Sequence, residues 1–175
     1  MLPEVVMNHE AKSIYTMFTF FWNGPFSQWK YAKFVDPETG VVFTCAEQYM
    51  MAHKALMFHD EERFKLIMST EEPKEQKRQG RLVEGFDNTR WFSLAEEVVY
   101  RGNWLKFTQN LELKTLLLET KGTLLVEASP YDKIWGVGMG KDDPDIIDPK
   151  KWRGQNLLGK VLSRVRENII KIETK

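Results

Sequence analysis

From the N-terminus, the apolar positions first follow a strand-like pattern and then a helical one. Phe18, Thr19, Phe20, Phe21 and Trp22 form a run of strand-prone residues, closed by the turn signal Asn23-Gly24-Pro25. Two β-prone runs, Tyr31–Val35 and Val41–Phe43, flank Asp36-Pro37-Glu38-Thr39-Gly40 and predict a hairpin with a longer loop. Thr44-Cys45-Ala46-Glu47 has the form of a capping box, hydroxyl first and carboxylate three residues on, and predicts a helix from Thr44 through Met57. Further helices are predicted at about 60–69 and 73–80, the second opened by Pro73. Trp91, Leu94, Ala95, Val98 and Leu105 recur at helical spacing and predict an amphipathic helix from Trp91, with Gly102 a weak point.

Leu111–Leu118 continues helically, and Thr123–Ala128 reads as a short strand. From Ser129 to Trp152 the density of Gly, Pro and Asp marks long loops. Leu158, Val161, Leu162, Val165 and Ile169 give a final amphipathic helix. The pattern predicts an α+β fold: a predominantly helical single domain with a small antiparallel hairpin or sheet. Strands that come first and helices that follow argue against a doubly wound parallel sheet. Residues 1–16 read as a poorly ordered lead-in, and 17–175 as the domain.

Composition narrows the function classes. The chain has 175 residues, enough for one domain with a real core. Lys+Arg and Asp+Glu both number 25, so net charge makes no case for a general nucleic-acid or membrane binder, although a local basic patch is compatible with it. Aromatics reach 13%, which suits a core and also a pocket that stacks flat rings. The single Cys45 has no intrachain disulfide partner, and no apolar run is long enough for a membrane-spanning helix. Cytoplasmic residence, with nuclear residence as a variant, is the expectation.

Candidate chemistry gathers in two places. Glu47 and Lys54 lie seven residues apart, two turns along one face of the helix from Thr44, near Met50, Met51 and Phe58. Glu47 there is either a catalytic carboxylate or only the closing member of the capping box. The second place is Asp132-Lys133-Ile134-Trp135-Gly136-Val137-Gly138-Met139-Gly140-Lys141. Alternating glycines let backbone N–H groups approach an anion, or simply serve a turn. The spacing is neither a Walker sequence nor a dinucleotide fingerprint. His53 and His59 are six apart, which is no metal-helix spacing, and the acidic loop Asp142, Asp143, Asp145, Asp148 lacks the pattern of an EF-hand. No metal and no cofactor is expected.

These pieces stand in an order that resembles the NADAR (YbiA-like) family. The resemblance runs from about Phe20 to Arg166. It takes in Pro25-Phe26-Ser27-Gln28-Trp29, Ala46-Glu47-Gln48-Tyr49-Met50-Met51 with Lys54-Ala55, Gly80-Arg81, Trp91 and Lys106-Phe107. It continues through Leu125-Val126-Glu127-Ala128-Ser129-Pro130, Asp132, Trp135-Gly136-Val137-Gly138, Gly154-Gln155-Asn156-Leu157-Leu158-Gly159 and Val165-Arg166. Two departures stand out: Gln28 takes the place of an Asn, and the loop from Lys141 to Trp152 is longer than in compact members.

The resemblance implies an N-glycosidase that cleaves a base nitrogen from a phosphate-bearing ribose. Family members act on phosphorylated riboflavin-pathway intermediates or remove ADP-ribose from guanine in nucleic acid. By similarity, Glu47, Asp132 and Trp91 are the candidate catalytic residues. Lys54, Arg81, Trp135, Gly136, Gly138 and Asn156 match positions that shape the pocket, and Trp22, Asn23, Ser27 and Lys106 complete the candidate substrate-binding set. The expectation is that Glu47 and Asp132 divide the activation of water and the stabilisation of the ring cation, while Lys54, Arg81 and the Gly136–Gly140 backbone hold phosphate. The enlarged loop and abundant aromatics favour ADP-ribosyl-guanine, with nucleic acid as a partner and no membrane. The alternatives are a riboflavin-intermediate hydrolase and a non-catalytic ADP-ribose or NAD-binding module.

Overall fold

The computed structural model describes residues 5–7 and 17–174. In chain order its elements are β1 (Val5–Met7), β2 (Met17–Phe21), β3 (Phe34–Val35), β4 (Val42–Phe43), α1 (Ala46–Met57), α2 (Glu61–Met68), α3 (Pro73–Arg81), α4 (Asn88–Phe92), α5 (Ala95–Gln109), α6 (Leu111–Glu119), β5 (Thr123–Glu127) and α7 (Leu157–Glu173). Helix predominates and the strands are short, as the apolar pattern predicts. Of the lead-in 1–16, only Val5–Met7 falls among the described residues, as a strand; the rest lies outside them. The chain forms two compact units, one holding residues up to Ser27 and from Glu112 onward, the other Gln28–Leu111.

In the first unit the sheet order is β1-β2-β5, with β1 antiparallel to β2 and β2 parallel to β5. The sequence announces neither pairing: β1 falls in the stretch read as a poorly ordered lead-in, and the parallel pair leaves no local signal. A local reading pairs strands that are neighbours in sequence, whereas β2 and β5 meet across a long crossover that contains the whole second unit. Phe18, Phe20, Val126, Ala128, Val137, Met139 and Ile146 form the core on this sheet, with Trp152 packed against it. The Thr19 and Thr123 hydroxyls bond each other at 2.6 Å between the parallel strands, which removes the penalty of burying either.

Because β5 is an edge strand, Thr123, Leu125 and Glu127 turn backbone groups away from β2. Side chains and a loop N–H meet them. Arg166 Nη2 donates to Thr123 O at 2.7 Å, and Ser163 Oγ accepts from Leu125 N at 3.1 Å. Asn156 Nδ2 donates to Leu125 O at 3.0 Å while its Oδ1 accepts from Glu127 N at 3.0 Å. Val137 N donates to Glu127 O at 3.0 Å. Asn156 thus imitates one residue of a missing strand. It holds φ 54°, a left-handed backbone that Asn tolerates better than most residues.

In the second unit the hairpin forms where the sequence predicts it. Phe34 pairs with Phe43 and Val35 with Val42, and Asp36 N donates to Val41 O at 3.0 Å. Helix α1 packs on α2, α3 and α5. Gly102 is not a weak point but a close-approach site. A Cβ there would lie 2.7 Å from Tyr49 Cδ1, so glycine lets α5 press against α1. The helix predicted from Trp91 is broken: α4 ends at Phe92, the chain turns at Ser93 and Leu94, and α5 restarts at Ala95.

Replacing Asn156 by Leu keeps the branched outline but adds volume, strains a residue at φ 54°, and leaves Leu125 O and Glu127 N without partners. We expect a loss of about 3 kcal/mol in urea unfolding, from two buried groups at about 1–3 kcal/mol each. An unchanged midpoint would mean that water replaces the amide.

Candidate functional site

The start of α1 is set by an amide network rather than by a capping box. Cys45, not Thr44, is the N-cap, and no side chain caps the helix. Thr44 N and Oγ1 both donate to Gln48 Oε1, at 2.8 and 3.0 Å. Gln48 Nε2 donates to Ile67 O and Thr70 O, both at 3.1 Å. Gln76 Nε2 donates to Thr70 O at 2.8 Å, and Cys45 Sγ donates to Gln76 Oε1 at 3.1 Å. One helical residue beyond the first, Glu47 is buried at 4% exposure, its N–H donating to Gln28 O at 3.0 Å. The Glu47 N–H that a capping box would give to the Thr44 hydroxyl thus goes to Gln28 O.

Two turns further on, Lys54 is half-buried. Its Nζ sits 4.0 Å from the Phe86 ring centroid and 6.0 Å from that of Trp91. Burial lowers its pKa, the Arg81 charge lowers it further, and the Glu47 charge works against both. Phe86 stands 42% exposed and meets Phe58 edge-on at 5.4 Å, and the Arg90 guanidinium lies 5.6 Å over Phe58. The result is an open cluster of rings and cations around Lys54.

Two aspartates place this cluster. Asp60 Oδ1 accepts from Arg63 N at 3.0 Å and caps α2, while its Oδ2 accepts from Glu84 N at 2.8 Å and fixes the segment leading to Phe86. Asp87 Oδ1 accepts from Arg90 N at 2.6 Å and caps α4, which carries Trp91. Trp91 is only 3% exposed and has the burial of a core residue, as its helical spacing allows. Sequence reasoning missed Phe86. The signal was an apolar residue inside the turn Gly85-Phe86-Asp87-Asn88, where a ring has no helical face to join.

Lys106 is fully buried, with its Nζ 4.8 Å from the Phe107 ring. Burial pushes its pKa down to about 7. It differs in this from Lys54 and Arg81, which reach the surface of the same unit. His53 is stacked on Tyr49 at 3.9 Å, with Nδ1 2.8 Å from Tyr49 O, so ring and nitrogen both serve the packing of α1. Among the described residues, no three His, Cys, Asp or Glu side chains are grouped as a metal centre requires, and no helix is long and apolar enough to cross a membrane.

The remaining candidates belong to the first unit. Asp132 Oδ1 accepts from Ile134 N at 2.9 Å and Trp135 N at 2.7 Å, and Asp132 O accepts from Gly138 N at 3.1 Å. Asn156 N donates to Gly136 O at 3.1 Å, and Leu158 N to Trp135 O at 3.0 Å. The N–H groups of Ile134, Trp135, Val137 and Gly138 are thus engaged within the loop and with β5, so the glycine-rich turn closes on itself. Gly138 has φ 68°, which suits glycine. Trp22 is 48% and Tyr131 86% exposed, with ring centroids 6.0 Å apart, an open aromatic pair beside Asn23. Ser27 N donates to Gly24 O at 3.2 Å in the turn that follows β2.

Lys106 makes stability pH-dependent. Its folded pKa lies below the unfolded 10.5, so between about pH 7 and 10.5 the unfolded chain binds the extra proton and stability rises with pH. The stabilising contribution is fully present above 10.5 and lost as pH falls through 7. In Lys106→Met, the slope of unfolding free energy between pH 7.5 and 9.5 should fall by about 1.4 kcal/mol per pH unit. Equal slopes would place a counter-charge at Lys106.

The sequence matches the model of the NADAR domain over residues 12–170. It is 46% identical over 145 residues to N-glycosidase R617 of Acanthamoeba polyphaga mimivirus, covering 81% of this chain and 85% of that one. It is 32% identical over 142 residues to the chloroplastic riboflavin biosynthesis protein PYRR of Zea mays, covering 76% of this chain but spanning only 21% of the maize protein. The NMR structure of E. coli YbiA superposes with a TM-score of 0.74 at 27% identity, over 90% of this chain and 88% of that one. The chain belongs to the NADAR domain family.

Proposed function

We propose that the chain is an N-glycosidase that hydrolyses the bond between a base nitrogen and C1′ of a phosphate-bearing ribose, with ADP-ribosyl-guanine in nucleic acid as the favoured substrate. The observation that carries this reading is the constellation on and beside α1: a buried carboxylate, a half-buried lysine, a guanidinium and an open ring in Phe86. The N-glycosidase names of the mimiviral protein and of further bacterial relatives support the reaction class.

Chemically, the C1′–N bond breaks with its electron pair passing to the base nitrogen, which ends with the proton that Glu47 takes from the attacking water. Positive charge then develops on the ribose ring. Glu47 supplies the negative charge that lowers the energy of this state, and accepts a proton from the water that forms the new C1′–O bond. Lys54 and Arg81 bind the phosphate oxygens as charge-assisted donors. Phe86 offers its exposed face to a flat ring. Asp132, with Oδ1 committed to two loop N–H groups, acts as a positioning residue for residues 132–138. Trp91, covered on nearly all sides, backs Lys54 rather than stacking on substrate.

A second reading, hydrolysis of a phosphorylated riboflavin intermediate, has the maize riboflavin protein in its favour. A small substrate of that kind leaves the breadth of the exposed ring and cation cluster unused, which is why it ranks second.

The two readings separate in a mass-spectrometric turnover assay with an ADP-ribosyl-guanine oligonucleotide, a phosphoribosylated riboflavin precursor, and NAD as control. Wild type should release free ADP-ribose from the first. Glu47→Gln, with its melting curve unchanged, should be slower by about a hundred-fold or more. Turnover of the precursor alone would favour the second reading. Three intact substrates, together with a ligand-induced rise in melting temperature, would make the chain a binding module.

A further inference from the structure

The face of α3 opposite its buried residues carries four cations. Lys74, Lys77, Arg78 and Arg81 stand at i, i+3, i+4 and i+7, which places them along one side of the helix. On the other side Gln76, Gln79 and Gly80 are buried. The helix has one acid, Glu75, which grips Arg78 through two bonds of 2.7 Å and accepts a third from Gln79 at 2.7 Å. Arg78 is thereby held in a fixed pose. Among the described residues, Lys74, Lys77 and Arg81 make no ion pair with a carboxylate. In a chain with equal numbers of acids and bases, this is a local concentration of positive charge.

The stripe borders a cleft of about 460 Å³ whose apolar wall is Trp29. The indole is 43% exposed, and Lys77 Nζ lies 5.9 Å over its ring. Glu72 and Glu75 also line the cleft, so four cations face two acids and the charge is positive but not uniform. From Lys74 to Arg81 the stripe runs about 10 Å, at 1.5 Å per residue.

We infer that this face of α3, with Trp29, is a docking surface for a single strand of nucleic acid: the backbone runs along Lys74, Lys77 and Arg78 towards Arg81, and one unstacked base lies on the indole. A row of cations alone fits any polyanion. The exposed flat ring in the same cleft selects an unpaired base, because every base has a π-face and a duplex keeps its own covered. The inference rests on the nucleic-acid reading of the function and extends it: Arg81 ends the stripe on α3, which packs against the helix that carries Glu47 and Lys54.

The test is fluorescence anisotropy with labelled, unmodified 15-nucleotide oligothymidine and oligouridine, titrated between 50 and 200 mM salt. Wild type should bind at least one of them with an affinity that falls as salt rises. In the Lys74→Ala/Lys77→Ala variant the slope of log affinity against log salt should be shallower by about 1.4, since each phosphate that a cation neutralises on a single strand adds about 0.7 to it. Trp29→Ala should bind about 5- to 150-fold more weakly, the range for removal of one base stack, with much of the binding restored in Trp29→Phe. No binding by wild type, unchanged slopes, or displacement by polyglutamate as effective as by oligonucleotide would each overturn the inference. Turnover of ADP-ribosyl-guanosine, a substrate without a strand, reports on the proposed function separately. If wild type hydrolyses it but binds no strand, the function stands and the surface falls; if it binds strands but hydrolyses nothing, the reverse holds.

Discussion

The open edge of β5 is the constraint around which the first unit is arranged. A strand paired on one side only presents alternate N–H and C=O groups that must find partners once buried. Here the partners are Arg166, Ser163, Asn156 and Val137 N, drawn from one helix, the residue before it and one loop. Each bond contributes only about 1 kcal/mol when made, but each group left unmet costs about 1–3 kcal/mol. The same bonds therefore fix the register of α7 along β5 and the path of residues 132–138. A polar side chain at 0% exposure, such as Asn156 or Arg166, is here a sign of backbone completion.

The second unit solves a related problem at a helix end. Thr44 and Cys45 supply no cap, yet the entry to α1 is held firmly because Gln48 and Gln76 tie it to the carbonyls at the end of α2. Glu47 rides on that anchored turn, and Lys54 follows by helical geometry alone. The aromatic neighbours of Lys54 come from a different device, two aspartates that cap short helices and in doing so set the loop between them. Position in this cluster is thus governed mostly by side-chain-to-backbone bonds.

Much of this was legible in the sequence. Pro73 marked the start of α3, the Asp36–Gly40 turn marked the hairpin, and the spacing of Glu47 and Lys54 placed both on one helix face. What escaped had non-local causes. Parallel pairing of β2 with β5 leaves no trace in the residues between them. Gly102 resembles a helix breaker until Tyr49 is seen against it. Asp132 and the glycines after it resemble an anion cradle because a loop that binds its own backbone uses the same residue types as one that binds a phosphate. The capping box misled for a similar reason, since Thr44 bonds to the side chain one residue beyond Glu47.

The crossover between β2 and β5 has a consequence for synthesis. β2 ends at Phe21 and its parallel partner begins at Thr123, so roughly a hundred residues must be translated in between. At about 5–20 residues per second, an apolar strand waits about 5–20 s for the edge it pairs with. Meanwhile Gln28–Leu111, contiguous in sequence and rich in short-range helical contacts, emerges whole. Local contacts form early and distant ones late. The nascent chain therefore carries Met17-Phe18-Thr19-Phe20-Phe21 ahead of its pairing with β5, with β1 the only strand of its sheet yet made.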